Sequence, residues 1–218
     1  MREFNIYFVG ICHIIVPFAV IILWHKRTNA RYMPFIAGVL MIIALSFIRG
    51  AIRSTFDRSD LFLNLMKQIL LTSVLEEVCR YIAFSHVLKN YDRREDSVMY
   101  GVGHGFMEEI GTAVMVFGLI SEPERETIYT DAGGFLIGGF MAITAPLFHI
   151  LLSAAIFYAV QSYKVKTVLP AAIAYHFFMN FLRICAPVPF DFILEYGSLA
   201  VLMIVVIRLY RKLPETDI

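Results

Sequence analysis

Four stretches of this chain place ionisable or amide side chains inside otherwise apolar sequence. LLTSVLEEVCRYIAF carries Glu76, Glu77 and Arg80; GVGHGFMEEIG carries His104 and Glu108, with Glu109 beside them; LFHIL carries His149; and AYHFFMNF carries His176 and Asn180. On a helix, side chains three or four residues apart share a face, so Arg80 reaches either preceding glutamate, His104 and Glu108 stand one turn apart, and so do His176 and Asn180. These are the groups that amide hydrolysis needs. A carboxylate or imidazole can take the proton from water, an acid can protonate the leaving nitrogen, and amide or imidazole N–H groups can stabilise the oxyanion. His104, His149, His176 and a glutamate would equally serve as zinc ligands around an open water position.

The elements that must position these groups are membrane helices. Of 218 residues, 59% are hydrophobic, and the mean hydropathy is +0.70; soluble domains run nearer about 45–50% apolar. The apolar residues cluster in runs near the ~20 residues that cross a bilayer. Spans are expected at 5–24, 33–50, 61–88, 98–120, 133–161, 168–186 and 190–209. The fold class is therefore all-α, a polytopic transmembrane bundle of about seven spans, with six or eight as the alternatives. Residues 1–218 read as a single membrane domain whose core helices cover about 61–186, with no linker or internal repeat. The run 133–161 exceeds a straight span, and Pro146 is the natural place for a bend. The stretch 51–60, with Arg53, Asp57, Arg58 and Asp60, reads as a loop or a surface turn.

An ionisable group at mid-membrane costs roughly 2.5–3.5 kcal/mol to insert and ordinarily faces a protein interior or a wet cavity. One buried His alone reads as an interhelical hydrogen bond. Four helices repeating the cost, three with i,i+4 pairing, read as one shared site made by Glu76, Glu77, Arg80, His104, Glu108, His149, His176 and Asn180. Other polar residues read as bland: His13 and His25 as interfacial, His86 as a membrane-edge residue, and Arg183 as a cation snorkelling to the surface. Gly101 with Gly105, and Gly134 with Gly138, match the small-xxx-small pattern of close helix packing; close approach at the first pair would carry His104 towards Glu76 or Glu77.

Charge asymmetry orients the chain. Lys26, Arg27, Arg31, Lys89, Arg93, Arg94, Lys164 and Lys166 follow the first, third and fifth spans, while the loop from Ser121 to Asp131 is acidic, with Glu122, Glu124 and Glu126. Basic segments stay cytoplasmic, which places the N-terminus outside and the C-terminus inside the cell membrane. A net charge of +1 and the lack of a basic stripe exclude nucleic acid as a partner. Cys12, Cys79 and Cys185 have no metal or CxxC spacing and read as packing residues. No cleavable signal peptide is apparent before the first run. HExxH, the nucleophile elbow, the P-loop and the Rossmann fingerprint are all absent, which removes serine-hydrolase, NTPase and dinucleotide chemistry.

EEVCRY, GVGHGFMEEI, the helix-embedded Phe148 and His149, and YHFFMNF together resemble the YhfC-type family of intramembrane proteases. More distantly they are similar to the glutamic CAAX-protease and bacteriocin-processing superfamily and to PrsW-type proteases. The similarity covers about residues 70–185 and rests on the combination and order of motifs. It implies Glu76 or Glu77 with His104 as the water-activating pair, Arg80 as the carboxylate's partner, and His176 with Asn180 as oxyanion donors. The superfamily spacing EExxxR is EExxR here, which leaves open which glutamate is the base. Glu108 is similar to the YhfC and PrsW pattern, so glutamic and zinc chemistry both remain. The reading is an intramembrane peptidase acting on a membrane-associated polypeptide, with membrane lipids as its surroundings. A proton-coupled transporter built on the same residues is the rival, and a catalytically silent scaffold or immunity-type partner is a third reading.

Overall fold

The computed structural model describes residues 2–57, 59–122, 124, 125, 127, 134–185 and 190–213. Glu126 and Asp131 of the acidic loop lie outside them. Seven helices follow in order: α1 (Arg2–Thr28), α2 (Tyr32–Arg53), α3 (Leu61–Ile82), α4 (Arg94–Gly118), α5 (Gly134–Gln161), α6 (Val165–Cys185) and α7 (Phe190–Tyr210). A π-helical turn, Ala83–Val87, extends α3, and a 3-10 turn, Leu119–Ser121, extends α4. No strand occurs among the described residues, and the elements match the expected spans to within a few residues. The stretch 51–60 divides: α2 runs to Arg53, and Asp60 caps α3 by accepting the Leu63 N–H at 2.9 Å.

Among the described residues, five helices are long and apolar enough to cross a membrane: α1, α2, most of α5, α6 and most of α7. The other two, α3 and α4, have 22 and 25 residues. At about 1.5 Å per residue both exceed the ~30 Å of a hydrocarbon core; they fall short in hydropathy because they carry the glutamates, Arg80 and His104. Exposed Ile15, Leu23, Leu40, Phe47, Phe62, Val114, Phe140 and Val201 cover the outside of the bundle, where a soluble protein would be polar. The chain is an integral membrane protein.

α4 is the central element and packs against α1, α2 and α5, while α3 packs against α6, α2 and α5. Glycines make the centre possible. A Cβ on Gly101 would stand 2.6 Å from Ile150 Cα, and one on Gly105 would stand 2.9 Å from Pro146 Cα, so both admit the α5 backbone. On the opposite face, a Cβ on Gly103 would lie 2.1 Å from the Phe35 carbonyl oxygen, and one on Gly38 would lie 2.4 Å from the Tyr100 carbonyl oxygen. The first pair thus draws α5, with His149, onto α4. It is Gly103 with Gly38 that brings α2 to the same level. At one end of the bundle Arg31 pairs with buried Asp96, fixing the α1–α2 turn to the start of α4. At the other, Arg2 donates to the carbonyl oxygens of Leu119 and Glu122 at 2.9 Å.

Candidate active site

Successive residues on a helix diverge by about 100°, and this separates the two adjacent glutamates. Glu76 faces α2 and α4, where one carboxylate oxygen contacts Arg49 and the other lies 3.1 Å from His104 Nε2. Glu77 faces α5 and α6. Arg80, one turn on, donates to both Glu77 oxygens at 2.5 Å, and His176 Nδ1 lies 2.8 Å from Glu77 Oε1. Arg80 also donates to His149 Nδ1 at 2.9 Å, and His149 Nε2 is 2.9 Å from Glu108 Oε2. A continuous chain results: His176, Glu77, Arg80, His149, Glu108. It lies against the Glu76–His104 pair, for His176 Nε2 is 3.8 Å from Glu76 Oε2 and the His104 and His149 rings are 4.6 Å apart.

Six of these residues, Glu76, Glu77, Arg80, His104, His149 and His176, are buried to 2% exposure or less. Phe148 presents its ring to both His149 and His176 at centroid distances of 5.1 and 5.0 Å and fixes their planes. Arginine only donates, so its bond to Nδ1 fixes the neutral His149 ring with its proton on Nε2, directed at Glu108. Against a carboxylate, His176 Nδ1 is the donor, which leaves Nε2 turned towards Glu76. A buried carboxylate that orients a histidine this way is the usual support of a reactive imidazole. Each glutamate thus has an arginine and a histidine partner, Arg80 and His176 for Glu77, Arg49 and His104 for Glu76, and of these partners Arg49 lines a cavity. That cavity, about 160 Å³, is lined by Ser46 and Arg49 of α2 and Met107 and Glu108 of α4.

The structure therefore brings together seven of the eight residues singled out in the sequence. Asn180 is the exception: it lines a separate pocket with Arg53 and Thr72. Two further expectations are corrected. Glu108 pairs with His149 of α5 and not with its own-helix neighbour His104, whose Nε2 is turned to Glu76 of α3 instead. His13 is buried and contacts Glu109 across α1 and α4, so it is no interfacial residue. Arg183 is exposed, as its reading as a snorkelling cation expects, and its guanidinium also donates to Glu195 of α7 at 2.6 and 3.0 Å. Arg49 was missed in the sequence. The rule that selects Glu76 applies to it, but its place at the end of the expected 33–50 span has the look of an interfacial anchor.

The model of the YhfC intramembrane metalloprotease family matches residues 12–127, and the chain belongs to that family. The matched stretch holds Glu76, Glu77, Arg80, His104 and Glu108, while His149 and His176 lie beyond it. No curated protein and no solved structure matches the chain. A metal ion is implied by the family, and the residues present fit one by donor type: Glu76, His104 and His149 offer ligand atoms within 4.8 Å of one another. Three N and O ligands with an open position suit catalytic zinc. His149 joins such a set only when the Arg80 N–H leaves its Nδ1, since that bond keeps the ring's proton on Nε2.

Proposed function

We propose that this protein is an intramembrane peptidase in which Glu76 and His104 activate the water that attacks a peptide bond of a membrane-associated polypeptide. The carrying observation is the buried Glu76–His104 contact of 3.1 Å beside a cavity that Arg49 and Glu108 line. Glu76 accepts the water's proton as the oxygen attacks the carbonyl carbon. That proton passes to the leaving nitrogen as the C–N bond breaks. In low dielectric this shuttle suits a carboxylate. Arg49 stands at the cavity with a cationic donor for the developing oxyanion. Glu108 with His149 holds a second proton site at the same cavity. Glu77 and Arg80 are positioning residues that fix His176 and His149. Asn180, one turn beyond His176, meets substrate past the scissile bond.

The spacing of the donor atoms favours one second reading, a zinc-dependent form of the same reaction. Glu76, His104 and His149 would hold the ion. When bound, it would lower the pKa of a coordinated water and polarise the scissile carbonyl. The orientation carries over from the charge pattern: N-terminus outside, C-terminus cytoplasmic.

The test is to reconstitute purified protein in liposomes with a mixture of membrane-spanning peptides and read new peptide ends by mass spectrometry. New ends that disappear in a Glu76→Gln preparation support the proposal. A protein that produces none, yet moves protons or solute across the same liposomes, is a transporter. Metal content and chelator treatment of the active preparation then choose between the two forms of the chemistry.

A further inference from the structure

Two arginines of α2, one turn apart, meet two residues of α3, also one turn apart. Arg49 contacts Glu76, and Arg53 donates to the Thr72 hydroxyl at 2.8 Å. The first rung is neutralised and the second is not. Among the described residues Arg53 has no carboxylate partner, and its Nε is buried without a hydrogen bond. This guanidinium lines an open pocket of about 290 Å³ between α2, α3 and α6, whose other polar walls are Gln68, Thr72, Asn180 and Arg183. The Gln68 and Asn180 amides have no hydrogen-bond partner among the described residues. Arg183 is held by Glu195, so Arg53 supplies the pocket's uncompensated charge. No acidic side chain lines it.

A cation with an unused buried N–H, flanked by two unused amides, is a receptor for a planar anion, and a guanidinium matches a carboxylate in bidentate geometry. Thr72 precedes Glu76 by one turn and Asn180 follows His176 by one turn, so the pocket lies about 5.4 Å along the helices from the Glu76–His104 level. Extended peptide advances about 3.3–3.6 Å per residue, which places the pocket one or two residues from the bond under attack. We propose that the Arg53 pocket is a substrate subsite that binds a carboxylate one or two residues from the scissile bond. The inference rests on the peptidase reading for its distance to the scissile bond, but not for the binding itself. The carboxylate has two sources, an acidic side chain or the free C-terminus of a polypeptide. A lipid phosphate is a different ligand, disfavoured because Thr72 and Asn180, which line the pocket, stand one turn from the candidate catalytic residues.

The experiment measures binding and cleavage separately, with full-length protein in nanodiscs of zwitterionic lipid. The probes are fluorescent membrane-spanning peptides: one with a single Glu near one end, its Gln twin, and each with a free or an amidated C-terminus. Wild type should bind the carboxylate-bearing peptides about 10-fold or more tightly than their neutral twins, the scale of one charge-assisted hydrogen bond. Whichever twin pair shows the difference identifies the source. Arg53→Gln should erase the difference, Arg53→Lys should keep part of it, and Arg53→Glu should reverse it in favour of the neutral twins. Equal binding of the twins by wild type, or discrimination unchanged in Arg53→Gln, overturns the proposal. So does an Arg53-dependent effect that follows phosphatidylglycerol content and not the peptide. Cleavage without discrimination removes the subsite and leaves the peptidase; discrimination without cleavage does the reverse.

Discussion

Arg80→Met removes a guanidinium that is 0% exposed and makes three contacts, two to Glu77 and one to His149. Methionine keeps much of the length and apolar bulk, so the loss is electrostatic. Glu77, itself 0% exposed, keeps only His176. Breaking a buried pair by deleting one partner costs about 3–5 kcal/mol, most of it from the charge left behind. Because His176 can share that charge, the expected loss lies at the low end, about 3 kcal/mol. If the cost is the orphaned charge, deleting it as well must repair the damage. Arg80→Met with Glu77→Gln should recover about 2 kcal/mol relative to Arg80→Met alone, a coupling that a double-mutant cycle isolates. Arg80→Lys, which keeps the charge but not the fork, should cost less than Arg80→Met. Equilibrium unfolding in mixed micelles, followed by circular dichroism, gives each value. A double variant no more stable than Arg80→Met, or an Arg80→Met protein within about 0.5 kcal/mol of wild type, would refute the reasoning.

Gly103→Val should prevent folding into the native bundle, since even a Cβ meets the Phe35 carbonyl at 2.1 Å; Gly111→Ala, with open space around it, should leave the melting temperature unchanged within error. His13→Leu should destabilise by about 1–3 kcal/mol by stranding buried Glu109, and Glu109→Gln in the same chain should restore part of it in the same unfolding assay. Cysteines introduced singly in 25–32, 89–97 and 162–167 should react with a membrane-impermeant maleimide only after cell lysis. Labelling from intact cells would invert the assigned topology.

The sequence made the helices and most of the site legible for a single reason: bilayer insertion penalises charge, so each glutamate, histidine or arginine left in an apolar run is conspicuous. Glu76, Glu77, His104, His149 and His176 were all visible in that way. Their partnerships were not. Own-helix spacing pairs His104 with Glu108, yet His104 reaches across to Glu76 and Glu108 across to His149, because helix–helix distances are set by Gly38, Gly101, Gly103 and Gly105 and not by one helix's period. Arg80 shows the converse: its tie to Glu77 is local and was within reach, while its bond to His149 depends on α5. His13 departs from its interfacial reading because position near a span's end says nothing about whether a neighbouring helix supplies a carboxylate, and the Glu195 partner of exposed Arg183 is hidden from the sequence for the same reason. Asn180 shares a helix face with His176 but sits one turn further along, and that turn moves it from the Glu/His cluster to the Arg53 pocket.

Among all these groups Glu76 carries the central step of the proposed chemistry. The direct measurement is the rate at which liposome-reconstituted protein cleaves the best membrane peptide, compared between wild type and Glu76→Gln, with folding of both checked by circular dichroism. Glutamine keeps the volume and a hydrogen-bonding oxygen and loses the proton-accepting charge. The rate should fall about 10²–10⁴-fold or more in the Glu76→Gln variant, with Glu108→Ala also impaired but still folded. A Glu76→Gln protein that is folded and cleaves at the wild-type rate would contradict this role.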